Sequence, residues 1–98
     1  MANICENTLF MVSEVSENLE YVIKFLKEHF TAYVEPNDDC IDVYFDSYWK
    51  FPEELMTDMI NNMPDKSDYY IRCLSVEYGT MYHNLAYCSN ETEGWIDV

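Results

Sequence analysis

Positively charged residues are scarce in this sequence. Its 98 residues include five Lys and Arg against nineteen Asp and Glu, which gives a formal net charge of −14. Because a negative field repels phosphate, direct binding to DNA, RNA or an anionic membrane is electrostatically unfavourable. A basic protein surface is the favoured partner, although many soluble proteins carry acidic residues for solubility alone.

Glycine, proline and long apolar runs are also scarce. Two glycines and three prolines leave little room for a glycine-rich phosphate-binding loop, and no segment is low in complexity, so we expect an ordered chain. No apolar run reaches the roughly 20 residues that a membrane-spanning helix needs, and the first ten residues lack the pattern of a signal peptide. The sequence therefore predicts one cytoplasmic domain that covers residues 1–98.

Potential metal ligands are dispersed along the chain. The cysteines and histidines occur singly, at Cys5, His29, Cys40, Cys73, His83 and Cys88. Structural zinc sites draw their ligands as close pairs, so no metal site is predicted, and in a cytoplasmic protein the cysteines are expected to be free thiols. An enzyme that uses Cys73 or His83 remains an alternative, but the chain lacks a nucleophile motif, and we predict neither enzymatic activity nor a cofactor.

Hydrophobic periodicity predicts seven elements in the order β-α-β-β-α-β-β. Strands are predicted at 8–13, 31–35, 40–49, 69–78 and 81–88, and helices at 16–30 and 52–63. Two successive strand-helix-strand halves are typical of the ferredoxin-like split β-α-β arrangement, an α+β fold. We therefore expect an antiparallel sheet of four to five strands with both helices on one face. Trp95 and Ile96 either form a last short strand or cap a sheet edge.

The segment 40–49 alternates between apolar and polar residues, which is typical of a strand with one buried face. Its core side is predicted to hold Ile41, Val43, Phe45 and Trp49. Its other side is predicted to hold Asp42, Tyr44, Asp46 and Tyr48. Carboxylates spaced across a surface can imitate the phosphates of a nucleic acid, and tyrosines between them add rigid contact area. These four residues form the predicted partner-binding site, with rim charges at Asp38, Asp39, Glu53 and Glu54.

Three segments resemble one protein family. Residues 1–9, MANICENTL, resemble the M-x-N-x-C-x-N-x-L start of small ferredoxin-like proteins of unknown function that phages, plasmids and conjugative elements encode. Residues 44–52, YFDSYWKFP, are similar to the family's F-x-[ST]-x-W-x-x-P segment, and residues 71–79, IRCLSVEYG, resemble its late strand and turn. The resemblance implies a ferredoxin-like fold and a mobile-element origin, and it implies no particular activity.

The acidic, tyrosine-bearing strand and the resemblance to mobile-element proteins point to the same function. We expect a non-enzymatic inhibitor that imitates nucleic acid and occupies the basic channel of a host defence complex, of the anti-CRISPR or anti-restriction type. The alternative is a self-associating structural or regulatory module whose open sheet face forms a homodimer, with the acidic residues at the rim of the interface.

Overall fold

The computed structural model describes residues 3–98. Met1 and Ala2, which belong to the M-x-N-x-C-x-N-x-L motif, lie outside the described residues. The two helices of the described part are α1 (Ser16–His29) and α2 (Glu53–Asn61). The strands are β1 (Ile4–Val12), β2 (Ala32–Pro36), β3 (Cys40–Tyr48), β4 (Tyr70–Glu77), β5 (Tyr82–Ser89) and β6 (Ile96–Asp97).

The strands of residues 3–98 form one antiparallel sheet in the order β2-β3-β1-β4-β5-β6. The predicted α+β class, with two helices and an antiparallel sheet, is confirmed. The predicted count of four to five strands is wrong, because β6 adds a sixth strand by pairing with Ala86 and Tyr87 of β5. A last short strand was one of the two alternatives predicted for Trp95 and Ile96; Ile96 lies in β6, whereas Trp95 precedes the strand and packs against the core.

The hydrophobic core lies between the helices and one face of the sheet. The two helices contribute Leu19, Val22, Leu26, Met56, Met59 and Ile60. Alternate strand residues point toward them: Leu9, Met11, Ile41, Val43, Phe45, Ile71, Cys73, Ala86 and Cys88. The Tyr21 hydroxyl of α1 donates a hydrogen bond to the Met59 carbonyl of α2 over 2.9 Å, which joins the helices. We call the opposite side of the sheet the open face, since neither helix covers it.

Neither helix of residues 3–98 is long and apolar enough to cross a membrane.

Trp49 departs from the predicted alternation of β3. Its φ of +71° places the backbone in the left-handed region, which residues other than glycine rarely adopt. In addition, 51% of the surface of Trp49 is exposed. The strand ends one residue before Trp49, so the last inward residue of its alternation is Ser47, and Phe51 in the following loop is buried in the core. The prediction that Trp49 belongs to the core is therefore wrong, because the turn after Tyr48 breaks the period-two pattern.

A buried polar network fixes β3 against β1 on the helix side. The Asn7 side chain is 2% exposed, and its amide group donates to the Phe45 carbonyl over 3.2 Å and to the Ser47 hydroxyl over 2.9 Å. Its carbonyl oxygen accepts a hydrogen bond of 2.6 Å from the Ser75 hydroxyl on β4. Ser47 in turn donates to the Lys50 carbonyl over 2.8 Å. Three strands and the loop after β3 are thus joined beneath the end of β3 that carries Asp46 and Tyr48.

Candidate protein-interaction face

The four residues predicted as the centre of a partner-binding site lie on the open face of β3. Tyr44 is 39% exposed and Tyr48 is 69% exposed. Asp46 is exposed, and Asp42 is half-buried. Their placement follows from the alternation of the strand, because every residue next to a buried one points to the opposite side of the sheet.

The neighbouring strands place carboxylates directly opposite those of β3. Glu35 on β2 pairs with Asp42, and Glu6 on β1 pairs with Asp46. Like charges that face each other across two strands destabilise the sheet, by up to about 1 kcal/mol for each pair. Of the five Lys and Arg residues of the chain, Arg72 is the one that lies on a strand. One guanidinium reaches the β2-β3-β1 half of the open face, because that of Arg72 lies 4.5 Å from the centre of the Phe10 ring on β1, and Phe10 is opposite Asp42. The four carboxylates outnumber this one cation, so that half is negatively charged at a cost to folding.

Two tyrosines lie between the carboxylate pairs. Tyr33 on β2 is opposite Tyr44, with 6.2 Å between the ring centroids. The negative charge of Glu35 raises the pKa of the Tyr44 phenol, and partial burial and the charge of Asp42 act in the same direction. Tyr44 therefore stays protonated at neutral pH and can donate a hydrogen bond to a partner.

The predicted rim charges lie at the two ends of β3 and do not surround one compact patch. Asp38 and Asp39 lie in the turn between β2 and β3. Glu53 and Glu54 lie in the first turn of α2, at the other end of the strand, where they line a groove of about 900 Å³. Since a strand rises roughly 3.3 Å per residue, the two groups are separated by a distance on the order of 25 Å. Glu53 and Glu54 share their groove with Asp46 and Tyr48 of the predicted centre, and Asp38 and Asp39 do not line it.

The centre of the open face contains a second, smaller depression, which we call the hollow. Its volume is about 310 Å³, and its outward-facing lining comprises Glu6, Thr8, Thr31, Tyr44, Asp46, Leu74, Val76 and Tyr78. Thr8 on β1 is opposite both Tyr44 on β3 and Leu74 on β4. Leu74 is 45% exposed, and Tyr78 is 69% exposed. The hollow thus lies between the acidic half of the open face, formed by β2, β3 and β1, and a more apolar half formed by β4 and β5.

The turn that carries Tyr78 is held by a buried carboxylate. Glu77 is 2% exposed and accepts hydrogen bonds from the Gly79 amide over 2.6 Å and from the Thr80 amide over 2.7 Å, as well as one from the Thr80 hydroxyl. A Cβ atom at position 79 would lie 2.9 Å from the Glu77 carboxylate. Because Gly79 has no side chain, the carboxylate can come this close to the backbone. The hydrogen bond from the Thr80 hydroxyl, together with those from the two amides, lowers the pKa of Glu77 below its ordinary value of 4.5.

Glu77 is expected to make stability depend on pH in the acidic range. Because its pKa is lower in the folded chain than in the unfolded chain, its stabilising contribution is complete above pH 4.5 and is lost as the pH falls through the folded value. Thermal unfolding of the wild type and of Glu77→Gln, followed by circular dichroism, should give a lower Tm for the variant at pH 7. The difference should shrink progressively below pH 4.5. A difference that persists unchanged to low pH would contradict this role.

The residues of the enzymatic alternative do not come together. Cys73 is fully buried on the helix side of β4, and His83 is exposed and pairs with the outward-facing Val76. Burial raises the pKa of the Cys73 thiol to about 12, which leaves almost no reactive thiolate at neutral pH. All four cysteines are free thiols. Residues 3–98 contain no group of three or more Cys, His, Asp or Glu placed to hold a metal ion.

Sequence reasoning missed part of the face. Glu6, Glu35 and Tyr33 belong to it, as do Leu74 and Tyr78. The outward position of Glu6 could have been predicted from the sequence, because the alternation of β1 begins at Ile4 and every second residue from there points outward. The inward-facing Asn7 interrupts the apolar pattern of that strand, which is why the predicted strand began at residue 8.

Comparison of the chain with models of protein families, with curated proteins and with solved structures finds no match in any of the three. The resemblance to small proteins of phages, plasmids and conjugative elements therefore stays a prediction.

Proposed function

We propose that this chain is a non-enzymatic inhibitor that imitates nucleic acid and occupies the basic channel of a host defence complex, of the CRISPR or restriction type. One observation carries the proposal. Glu35 and Asp42, and likewise Glu6 and Asp46, are opposed pairs of carboxylates on a sheet face that neither helix covers. Their repulsion lowers the stability of the free protein, and a surface rich in Lys and Arg would relieve it.

The spacing of these carboxylates suits a surface that contacts phosphates. Within a pair, facing Cβ atoms lie about 5 Å apart, and Asp42 and Asp46 are separated by roughly 13 Å along β3. A duplex presents one negative charge per about 3.4 Å along each strand, so a channel built for it holds several cations over this distance. The formal charge of −14 would also accelerate the approach to a basic partner.

One further consideration supports a mobile-element inhibitor. The three motifs resemble small proteins encoded by phages, plasmids and conjugative elements, and such elements benefit from blocking host nucleases. The proposed activity also requires a protein in the cytoplasm of the host cell, because defence complexes of this type meet foreign nucleic acid there.

We further propose that the fold is the ferredoxin-like split β-α-β arrangement, extended by two strands. In support of this, β1 lies between β3 and β4, and β2 borders β3, so the first four strands have the order β2-β3-β1-β4. All these pairings are antiparallel, and both helices contribute to one core on the same side of the sheet. In this proposal β5 and β6 extend the sheet beyond β4.

Displacement of DNA tests the function. Purified CRISPR effector complexes and restriction endonucleases are loaded with a fluorescent duplex, and the anisotropy is followed as the protein is added. Release of the duplex from at least one complex is expected, and the release should weaken steeply as salt is added, because the competing contacts are ionic. Full retention of the duplex by every complex at low salt, even with the protein in large excess, would contradict the proposal.

The apolar part of the open face favours a homodimer as the second candidate. Ile4 is 47% exposed, Leu74 is 45% exposed, and Tyr78 is 69% exposed, and all three lie on or beside this face. Burial of these side chains against a second copy would be favourable if the carboxylates remained at the rim. Sedimentation velocity separates the candidates, since a dimer that persists in high salt supports self-association and a monomer at all salt concentrations supports the inhibitor.

A further inference from the structure

The hollow at the centre of the open face combines two carboxylates with aromatic and apolar walls. Glu6 and Asp46 face each other across β1 and β3 and both line it. Tyr44 and Tyr78 contribute rings, and Leu74 contributes an apolar surface that is 45% exposed. The volume of about 310 Å³ is sufficient for one long side chain of a partner.

We propose that the hollow binds the side chain of an arginine from the protein partner. A guanidinium group can donate to two carboxylates at once and can also stack on a tyrosine ring. The methylene groups of the same side chain would lie against Leu74 and Val76, as the stems of cationic side chains do on apolar surfaces. A carboxylate or phosphate is excluded as the occupant by the charges of Glu6 and Asp46.

Arginine fits this lining better than lysine. The ammonium group of lysine is a strongly hydrated point charge, so it gains less from an aromatic wall and cannot bond two carboxylates in a planar fork. The hollow also explains why the opposed carboxylates are present on β1 as well as on β3. In the free protein Glu6 and Asp46 repel each other, and a guanidinium group between them would turn that repulsion into two attractive contacts.

The inference rests on the proposed function in one respect, because it names a group on the partner that the inhibitor would contact. It can nevertheless be tested on the full chain alone. The probe is a capped alanine-arginine-alanine tripeptide, titrated into the isotopically labelled protein and followed by two-dimensional NMR. The same tripeptide with citrulline, which has the shape of arginine without its charge, and a third with lysine serve as comparisons.

Backbone amide signals of Glu6, Asp46 and Val76 are expected to shift with the arginine peptide, to shift less with the lysine peptide and to stay in place with the citrulline peptide. The double variant Glu6→Gln/Asp46→Asn should bind the arginine peptide at least about tenfold more weakly, because both ionic contacts are lost. The matched control is Glu20→Gln/Glu28→Gln, which removes the same charge from exposed positions of α1 and should bind like the wild type.

Three results would overturn the inference: no binding of the arginine peptide in the hollow, shifts spread evenly over the acidic surface, or equal loss of binding in both double variants. The NMR spectrum of each variant reports directly whether it is folded, and relief of the Glu6–Asp46 repulsion should make the first variant at least as stable as the wild type. If the arginine peptide binds in the hollow but no defence complex releases its duplex, the proposed function fails and the arginine site stands. If duplexes are released but the peptide does not bind in the hollow, the arginine site fails and the proposed function stands.

Discussion

Replacement of Asn7 by alanine is expected to lower the free energy of unfolding by about 3 kcal/mol, which corresponds to a fall in Tm of roughly 15 °C for a chain of this size. The side chain is 2% exposed and connects β1 to β3 and β4 by hydrogen bonds. Alanine would leave the Ser75 hydroxyl and the Phe45 carbonyl without these bonds in a region that water cannot easily enter. Each buried polar group that loses its partner costs about 1–3 kcal/mol, so the losses exceed the usual effect of a single substitution.

The matched control for this prediction is Asn61→Ala, because Asn61 is an exposed residue of the same type at the end of α2. Its effect should stay within about 0.5 kcal/mol. Chemical denaturation followed by tryptophan fluorescence gives both free energies. If Asn7→Ala unfolds within about 1 kcal/mol of the wild type, the hydrogen bonds of Asn7 do not hold β3 against β1, which would contradict the prediction.

The parts of the fold that followed from the sequence are those with a regular apolar pattern. The helix predicted at 16–30 is present as α1, with Leu19, Val22 and Leu26 buried, and the alternation of β3 holds as predicted from Ile41 to Tyr48. In these segments, burial of one face determines the local structure, so periodicity carries enough information. The start of β1 was predicted too late, because Asn7 is a polar residue on the core side and conceals the alternation. Whether a buried asparagine finds partners depends on tertiary contacts that no local pattern contains.

The candidate face was predictable only in part for a similar reason. The outward residues of β3 could be identified from one strand, whereas Glu6 and Glu35 became part of the face through the register of β1 and β2 with β3. Strand order and register are set by the whole sheet, so the opposed carboxylate pairs could not be read from the sequence. The rim charges Asp38, Asp39, Glu53 and Glu54 were predicted without a distance between them, and the length of β3 places the two groups at opposite ends of the strand.

If the proposed function holds, replacement of Asp42 and Asp46 by asparagine is expected to weaken inhibition of the proposed target complex at least about 100-fold. Each carboxylate of the proposed interface would lose charge-assisted hydrogen bonds worth about 1.5–3 kcal/mol, and the two losses together exceed the free energy of a 100-fold change. Stability should remain unchanged or rise by up to about 1 kcal/mol, since the repulsion from Glu35 and Glu6 is relieved. A loss of function combined with an unchanged or higher Tm is the signature of charges retained for a partner.

The most direct test of this account is the concentration of protein that releases half of the duplex from its target complex. It is to be measured for the wild type, for Asp42→Asn/Asp46→Asn and for Glu20→Gln/Glu28→Gln under the same salt conditions. Both variants have the same net charge, so a general effect of charge would weaken them equally. Only the variant on β3 is expected to lose inhibition, by about 100-fold or more. Equal potency of the two variants would show that the open face of β3 is not where the partner binds.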